Sequence, residues 1–207
     1  MKRFLLLGVL ALAAAWSVGG SPAAADQQTI VFLHNAWFER HKNGEAHQEF
    51  GVYDFAGIRN ALGQDAQVIA PERDPNAQPH AEALEVIELI ESLMDEGTEA
   101  SDIKVVGASK GAFIAQLASE QIAEPTLRWV LVGGCHVRRL ASGPAPKMSG
   151  LVLSIYDTSD QMAGPCRDFP ALTEETVRFE ERSVETGRGH GFQFSADEAW
   201  IAPARDW

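Results

Sequence analysis

Val105-Val106-Gly107-Ala108-Ser109-Lys110-Gly111-Ala112-Phe113-Ile114-Ala115 reads as the end of a strand, an abrupt turn and the start of a helix. A β-branched run from Ile103 to Val106 leads into the turn, and Ala112, Ala115 and Ala118 recur after it at helical spacing. Ser109 sits at the turn itself, with glycines two residues before and two after. A serine so placed is forced into a strained backbone conformation, and the flanking glycines let strand and helix approach without Cβ clashes.

Working outward, Thr29–Leu33 is a continuous apolar run suited to a strand buried on both faces, and His34-Asn35-Ala36-Trp37 leaves it. Further strands are expected at 67–70, 127–132, 151–156 and 177–185, the last alternating as an edge strand does. Between them, Phe55, Ile58 and Leu62 recur at helical spacing. From Ala81 to Glu96 the set Leu84, Ile87, Ile90, Leu93 and Met94 makes an apolar face ended by Gly97. The helix after Ser109 runs to about Ile122, and the tail offers a short helix before Pro203 with Trp200 packing back. Strands alternating with helices define an α/β fold, here a mostly parallel six-stranded sheet with helices on both faces. The polar stretch 38–50, with His41 and His47 among Glu39, Glu45 and Glu49, lacks a recognised metal-ligand spacing and reads as a solvated loop. Glu72-Arg73-Asp74, just beyond the second strand, reads as a local ion pair or a substrate contact.

The chain has 207 residues, 45% hydrophobic and 22% charged, enough for one domain with a sizeable core. Lys2 and Arg3 precede an apolar run from Phe4 to Trp16, and Ala23-Ala24-Ala25 then offers a small-residue cleavage site. This predicts a signal peptide over 1–25 and a single exported domain over 26–207, periplasmic or secreted, with no membrane span after the signal is removed. The formal charge of -12 argues against nucleic acid or an anionic membrane as partner. Cys135 and Cys166 each follow a predicted strand end, and an even cysteine count in an oxidising compartment predicts a bridge; the plain alternative is two buried thiols.

On Gly107-x-Ser109-x-Gly111 in its strand-turn-helix setting, the chain resembles the α/β-hydrolase superfamily. The rival dinucleotide-binding pattern of short-chain dehydrogenases fails at Val106, where a threonine belongs, and at Phe113, where the last glycine belongs. Tyr53 and Tyr156 also lack the lysine four residues on that such enzymes need.

The resemblance implies a site order of serine, acid, histidine, and implies a fold with no cap domain in a chain this short. A serine hydroxyl needs a base within hydrogen-bond reach and a third group to orient that base. Ser109 is the implied nucleophile and His190, after the last strand, the implied base. His136 also follows a strand, but the superfamily places its histidine last. Asp160, a few residues beyond the strand ending at Tyr156, is the implied acid, with Asp157 as the alternative. Gly189 and Gly191 suggest a mobile loop around His190.

The oxyanion hole would take the backbone N–H of Lys110 and one from the loop after the first strand. There Asn35 replaces the usual glycine, and Ala36, then Trp37, is the expected donor, with His34 a hydrogen-bonded loop histidine. Two roles are open for the Lys110 side chain: favouring anionic substrates or an acid at the rim, or pointing to solvent or a neighbouring carboxylate. The activity implied is hydrolysis of an ester or related acyl bond in a small-molecule substrate through an acyl-serine, with no cofactor and no metal. The alternative is a binding protein that keeps the fold without the chemistry, and the distance from His190 to Ser109 separates the two.

Overall fold

The computed structural model describes residues 28–135, 147–166 and 176–207. The expected signal segment and His136 lie outside the described residues. Six strands form one sheet: β1 (Thr29–Leu33), β4 (Gln67–Ile69), β5 (Ile103–Ala108), β6 (Arg128–Val132), β7 (Gly150–Asp157) and β8 (Thr176–Val184), in spatial order β4-β1-β5-β6-β7-β8. Every pair in it is parallel, so the sheet is more uniform than the mostly parallel arrangement expected.

The helices are α1 (Ala36–Arg40), α2 (Phe55–Leu62), α3 (Pro79–Asp95), α4 (Lys110–Gln121) and α5 (Glu198–Asp206). α3 and α4 cover one face, where Ala83, Val86, Ile90, Ala112, Ile114 and Ala115 meet Val31, Leu33 and Val105. α2 and α5 cover the other, where Ile58, Leu62, Trp200, Ile201 and Ala204 meet Ile30, Phe32 and Val106. The odd and even residues of β1 and β5 therefore serve opposite cores, which is why these strands are apolar on both faces save at Lys104.

Three details differ from the sequence reading. Leu84 is 51% exposed, whereas Ile90, with Ala83 and Val86, is buried and Ile87, Leu93 and Met94 pack half-buried against the same core. The helix expected to stop before Pro203 continues to Asp206. Its buried Trp200, Ile201 and Ala204 offset the hydrogen bond lost at proline, and the Lys104 ammonium, within β5, donates to the Ala204 and Arg205 carbonyls at 3.1 and 2.6 Å. The stretch 38–50 is not all loop, since α1 occupies 36–40 and β2 (Ala46–His47) pairs antiparallel with β3 (Gly51–Val52). Phe38 and Glu39 of α1 are buried.

Cys135 and Cys166 form the expected disulfide, Cα to Cα 5.3 Å, joining the end of β6 to the segment after β7. In the chain-entropy model a bridge between residues 31 apart contributes about 3 to 4 kcal/mol. Among the described residues, no helix is long and apolar enough to cross a membrane.

The chain builds β1, moves outward to β4, then returns to the other side of β1 as β5 and continues to β8. Strand order thus reverses between β1 and β5, and the crevice beyond their carboxyl ends is where open α/β sheets bind ligands. Asn35 and Ala36 leave β1 at that crevice, and Ser109 and Lys110 leave β5.

Candidate active site

Ser109 has φ 52° and is the only non-glycine residue with positive φ among those described. Such a conformation costs about 1 to 3 kcal/mol and persists only where the surroundings over-determine it. Here the Ser109 N–H donates to the Val132 carbonyl at 2.9 Å, and the Ser109 carbonyl accepts from the Phe113 N–H at 3.2 Å. The two glycines are required by contact. A Cβ at Gly111 would lie 2.0 Å from the Leu33 carbonyl oxygen, and one at Gly107 would lie 2.5 Å from the Gly111 carbonyl oxygen.

His190 lies in a 3₁₀ turn, Gly189–Phe194, not in a mobile loop, and is 7% exposed. Phe192 and Phe194 are buried in the core that α5 covers, and the Phe50 ring packs where a Cβ on Gly191 would stand. The glycines are there for a tight turn, Gly189 at φ 54°, and for close packing. His190 Nε2 is 2.8 Å from Ser109 Oγ, and Nδ1 is 2.7 Å from Asp160 Oδ2. The other oxygen of Asp160 accepts from the Met162 and Ala163 amides at 2.8 and 3.1 Å, which fixes the carboxylate plane.

Asp157 stands elsewhere. Its Oδ1 accepts from the Ser159 amide and hydroxyl, and its Oδ2 from the Thr186 amide and hydroxyl, at 2.5 to 2.8 Å. Burial alone would raise its pKa, but these hydrogen bonds outweigh it and hold the carboxyl below its usual range. Ser159 Oγ in turn accepts from the Gly189 amide at 3.0 Å. Asp157 therefore ties the loop carrying Asp160 to the turn carrying His190 and does not touch the imidazole.

On the other side of Ser109, Ala36 and Lys110 are the first residues of α1 and α4. N–H groups in a first helical turn have no acceptor within their own helix, so both amides are free of intrahelical bonds. Asn35 caps α1, its Oδ1 accepting from the Phe38 amide at 3.0 Å. The Lys110 side chain is held by partners within the protein. Its Nζ donates to Glu39 Oε1 at 2.5 Å and to the Ala77 carbonyl at 2.7 Å, so of the two roles open in the sequence the carboxylate partner is the one observed.

Glu39 is 1% exposed, and Arg73 Nε donates to its second oxygen at 3.2 Å. Arg73 also donates through its backbone N–H to His34 Nε2 at 3.2 Å and through Nη2 to the His34 carbonyl at 2.5 Å. Burial, then the Arg73 charge, pushes the His34 imidazole down to about 3, so it is neutral and a structural acceptor, the loop role expected of it. The ion pair of Arg73 is thus not the local one read at 72–74, since its partner Glu39 lies 34 residues upstream. Of the remaining polar residues in 38–50, His41 Nδ1 meets Glu45 at 2.9 Å, and His47 Nδ1 accepts from the Glu49 and Phe50 amides.

Two participants escaped the sequence reading. Gln193 is fully buried, 3.1 Å from His190 Nε2. Glu39 looked like one more charge in a polar loop. Only Glu39 carried a trace of its role, beside the apolar Phe38 that is buried with it.

No protein-family model matches the chain, and no curated protein matches its sequence. Solved structures do. The RedJ thioesterase of the prodiginine biosynthetic pathway in Streptomyces coelicolor superposes with TM-score 0.56 at 15% identity, covering 95% of each chain. SOBER1 of Arabidopsis thaliana gives 0.53 at 17% identity, over 86% of this chain and 99% of its own. A lipase-esterase related protein from Clostridium acetobutylicum gives 0.57 at 12% identity, over 86% and 93%. The chain has the α/β-hydrolase fold.

Proposed function

We propose that the protein is a serine hydrolase that cleaves an ester or related acyl bond through an acyl-serine intermediate. The observation that carries this reading is the continuous chain Asp160–His190–Ser109, with links of 2.7 and 2.8 Å, ending on a strained serine at the sheet's switch point.

In this mechanism His190 Nε2 takes the Ser109 hydroxyl proton as Oγ bonds to the substrate carbonyl carbon. The carbonyl π pair moves onto its oxygen, where the Ala36 and Lys110 amides receive the negative charge. Asp160 accepts the Nδ1–H and stabilises the imidazolium. As the carbonyl reforms, the bond to the leaving group breaks, and that group departs with the proton from Nε2. Water then repeats the sequence on the acyl-serine: His190 takes its proton, the oxygen attacks, and Ser109 leaves reprotonated with release of the free acid.

The alternative of an inactive binding protein would be favoured by a histidine held away from the serine, whereas the two groups lie within hydrogen-bond reach. Labelling by a fluorophosphonate probe is the direct test. Wild-type protein is expected to label on Ser109, and Ser109→Ala and His190→Ala to lose labelling while staying folded. Absence of labelling of the folded wild type by several such probes would overturn the reading.

A further inference from the structure

We propose that Gln193 is a positioning residue of this site: its amide keeps the imidazole hydrogen of His190 on Nδ1, so that Nε2 presents a lone pair, shared between the Gln193 amide and Ser109 Oγ, as the acceptor of the Ser109 proton. The inference rests on reading Ser109 and His190 as nucleophile and base.

It follows from a run of hydrogen bonds whose direction is fixed at its start. The Phe38 N–H, in the first turn of α1, can only donate, and it donates to Asn35 Oδ1 at 3.0 Å. Asn35 therefore presents Nδ2 to its next neighbour, and that nitrogen donates to Gln193 Oε1 at 3.4 Å. With its oxygen so taken, Gln193 turns its NH₂ toward the imidazole, 3.1 Å from Nε2. An amide nitrogen donates and does not accept, so Nε2 meets it with a lone pair. At the far end of the ring, Asp160 Oδ2 accepts from Nδ1 at 2.7 Å and prescribes the same tautomer.

Turning the Gln193 amide over would set its NH₂ against that of Asn35. Both residues are buried, Asn35 2% and Gln193 0% exposed, where an unmade hydrogen bond costs its full desolvation. The same strut joins the histidine turn to the residue before Ala36, so the base and one oxyanion amide are set by one connection.

Two substitutions separate this role from packing. Gln193→Met keeps the length and removes the donor, and Gln193→Glu keeps the shape and sets an acceptor against Nε2. In nitrogen NMR of isotopically labelled protein at neutral pH, with His190 assigned against His190→Ala, the wild type should show hydrogen on Nδ1 and a bare Nε2. In Gln193→Glu, with a carboxylate at each end of the ring, hydrogen should be found on Nε2 as well as on Nδ1, and fluorophosphonate labelling should slow at least about a hundredfold, the low end of a positioned base's contribution. Gln193→Met should lower kcat about five- to tenfold, the worth of one net hydrogen bond, with KM unchanged.

Unaltered ring-nitrogen shifts in Gln193→Glu, with labelling within about twofold of wild type, would overturn the proposal. So would equal losses in both variants that track a fall in melting temperature. If Gln193→Glu does not fold, the kcat and KM split and the ring shifts of Gln193→Met decide. A folded wild type that no probe labels would fail the hydrolase reading, while its ring nitrogens would still show whether Gln193 sets the tautomer.

Discussion

Two buried polar clusters flank the Ser109 elbow, and they are built from similar residues to opposite ends. On the β1 side, Glu39 is held by Arg73 and Lys110, one cation on each carboxylate oxygen, with neutral His34 behind. On the β7 and β8 side, Asp160 is held by two amides and one imidazole, and the far nitrogen of that imidazole reaches a hydroxyl. The first cluster is closed, since its carboxylate is answered by fixed positive charge. The second ends on a hydrogen that can be moved. What distinguishes a candidate catalytic cluster from a structural one here is the last link of the chain, and residue composition would not have separated them.

The largest effect expected concerns the two acids of the β7 loop. Asp160→Asn should lower kcat on a small neutral ester by about 10⁴, the loss seen when the acid of a serine triad is amidated. Asp157→Asn should lower it only about tenfold, since it weakens the hydrogen bonds that tie the loop to the histidine turn. Equal losses in the two variants would erase the distinction drawn between them.

Next in size, Glu39→Ala leaves Arg73 and Lys110 without their carboxylate in a nearly dry site. Breaking a buried pair from one side costs about 3 to 5 kcal/mol, to be read by urea unfolding. Folded Glu39→Ala should still label on Ser109. Lys110→Met should cost less, its side chain being 18% exposed, and should leave the ratio of anionic to neutral ester turnover unchanged. A selective rise in KM for anionic esters would return Lys110 to substrate recognition.

The smallest effect is a pH dependence of stability placed on His34. An unfolded imidazole takes up a proton below about 6.5, whereas the buried one does so only near 3. Between these values the unfolded chain binds more protons, so this contribution is complete above the unfolded pKa and is lost as pH falls toward the folded one. From pH 7 to pH 4 the wild type should lose on the order of 3 kcal/mol more than His34→Gln. Equal losses would mean that His34 is reached by water and does not belong to the closed cluster.

Much of the fold was legible because the relevant signals are local. The apolar run at 29–33 and the β-branched run at 103–106 suit strands covered on both faces, and they were read as strands. Ser109 was legible because glycines at both flanking positions announce a close approach of backbone to backbone. Asp160 and His190 were assigned by chain order, and the structure brings both to Ser109. His190 was misjudged in one respect: glycines are compatible with mobility and with tight packing alike, and the Phe50 ring against Gly191 decides for packing.

By itself, the sequence determined the α/β architecture and the Ser109 elbow, because periodicity and turn chemistry act over a few neighbouring positions, while the chain order of the superfamily it resembles added His190 and left two aspartates open. Only the tertiary structure decided which aspartate faces His190, where the Lys110 charge goes, and that Gln193 links Asn35 to the imidazole. Those outcomes join residues 3 positions apart for Gln193 and His190, 71 for Lys110 and Glu39, and 158 for Asn35 and Gln193. A hydrogen bond is selected by distance and direction in space, and the chain's local patterns carry no record of either.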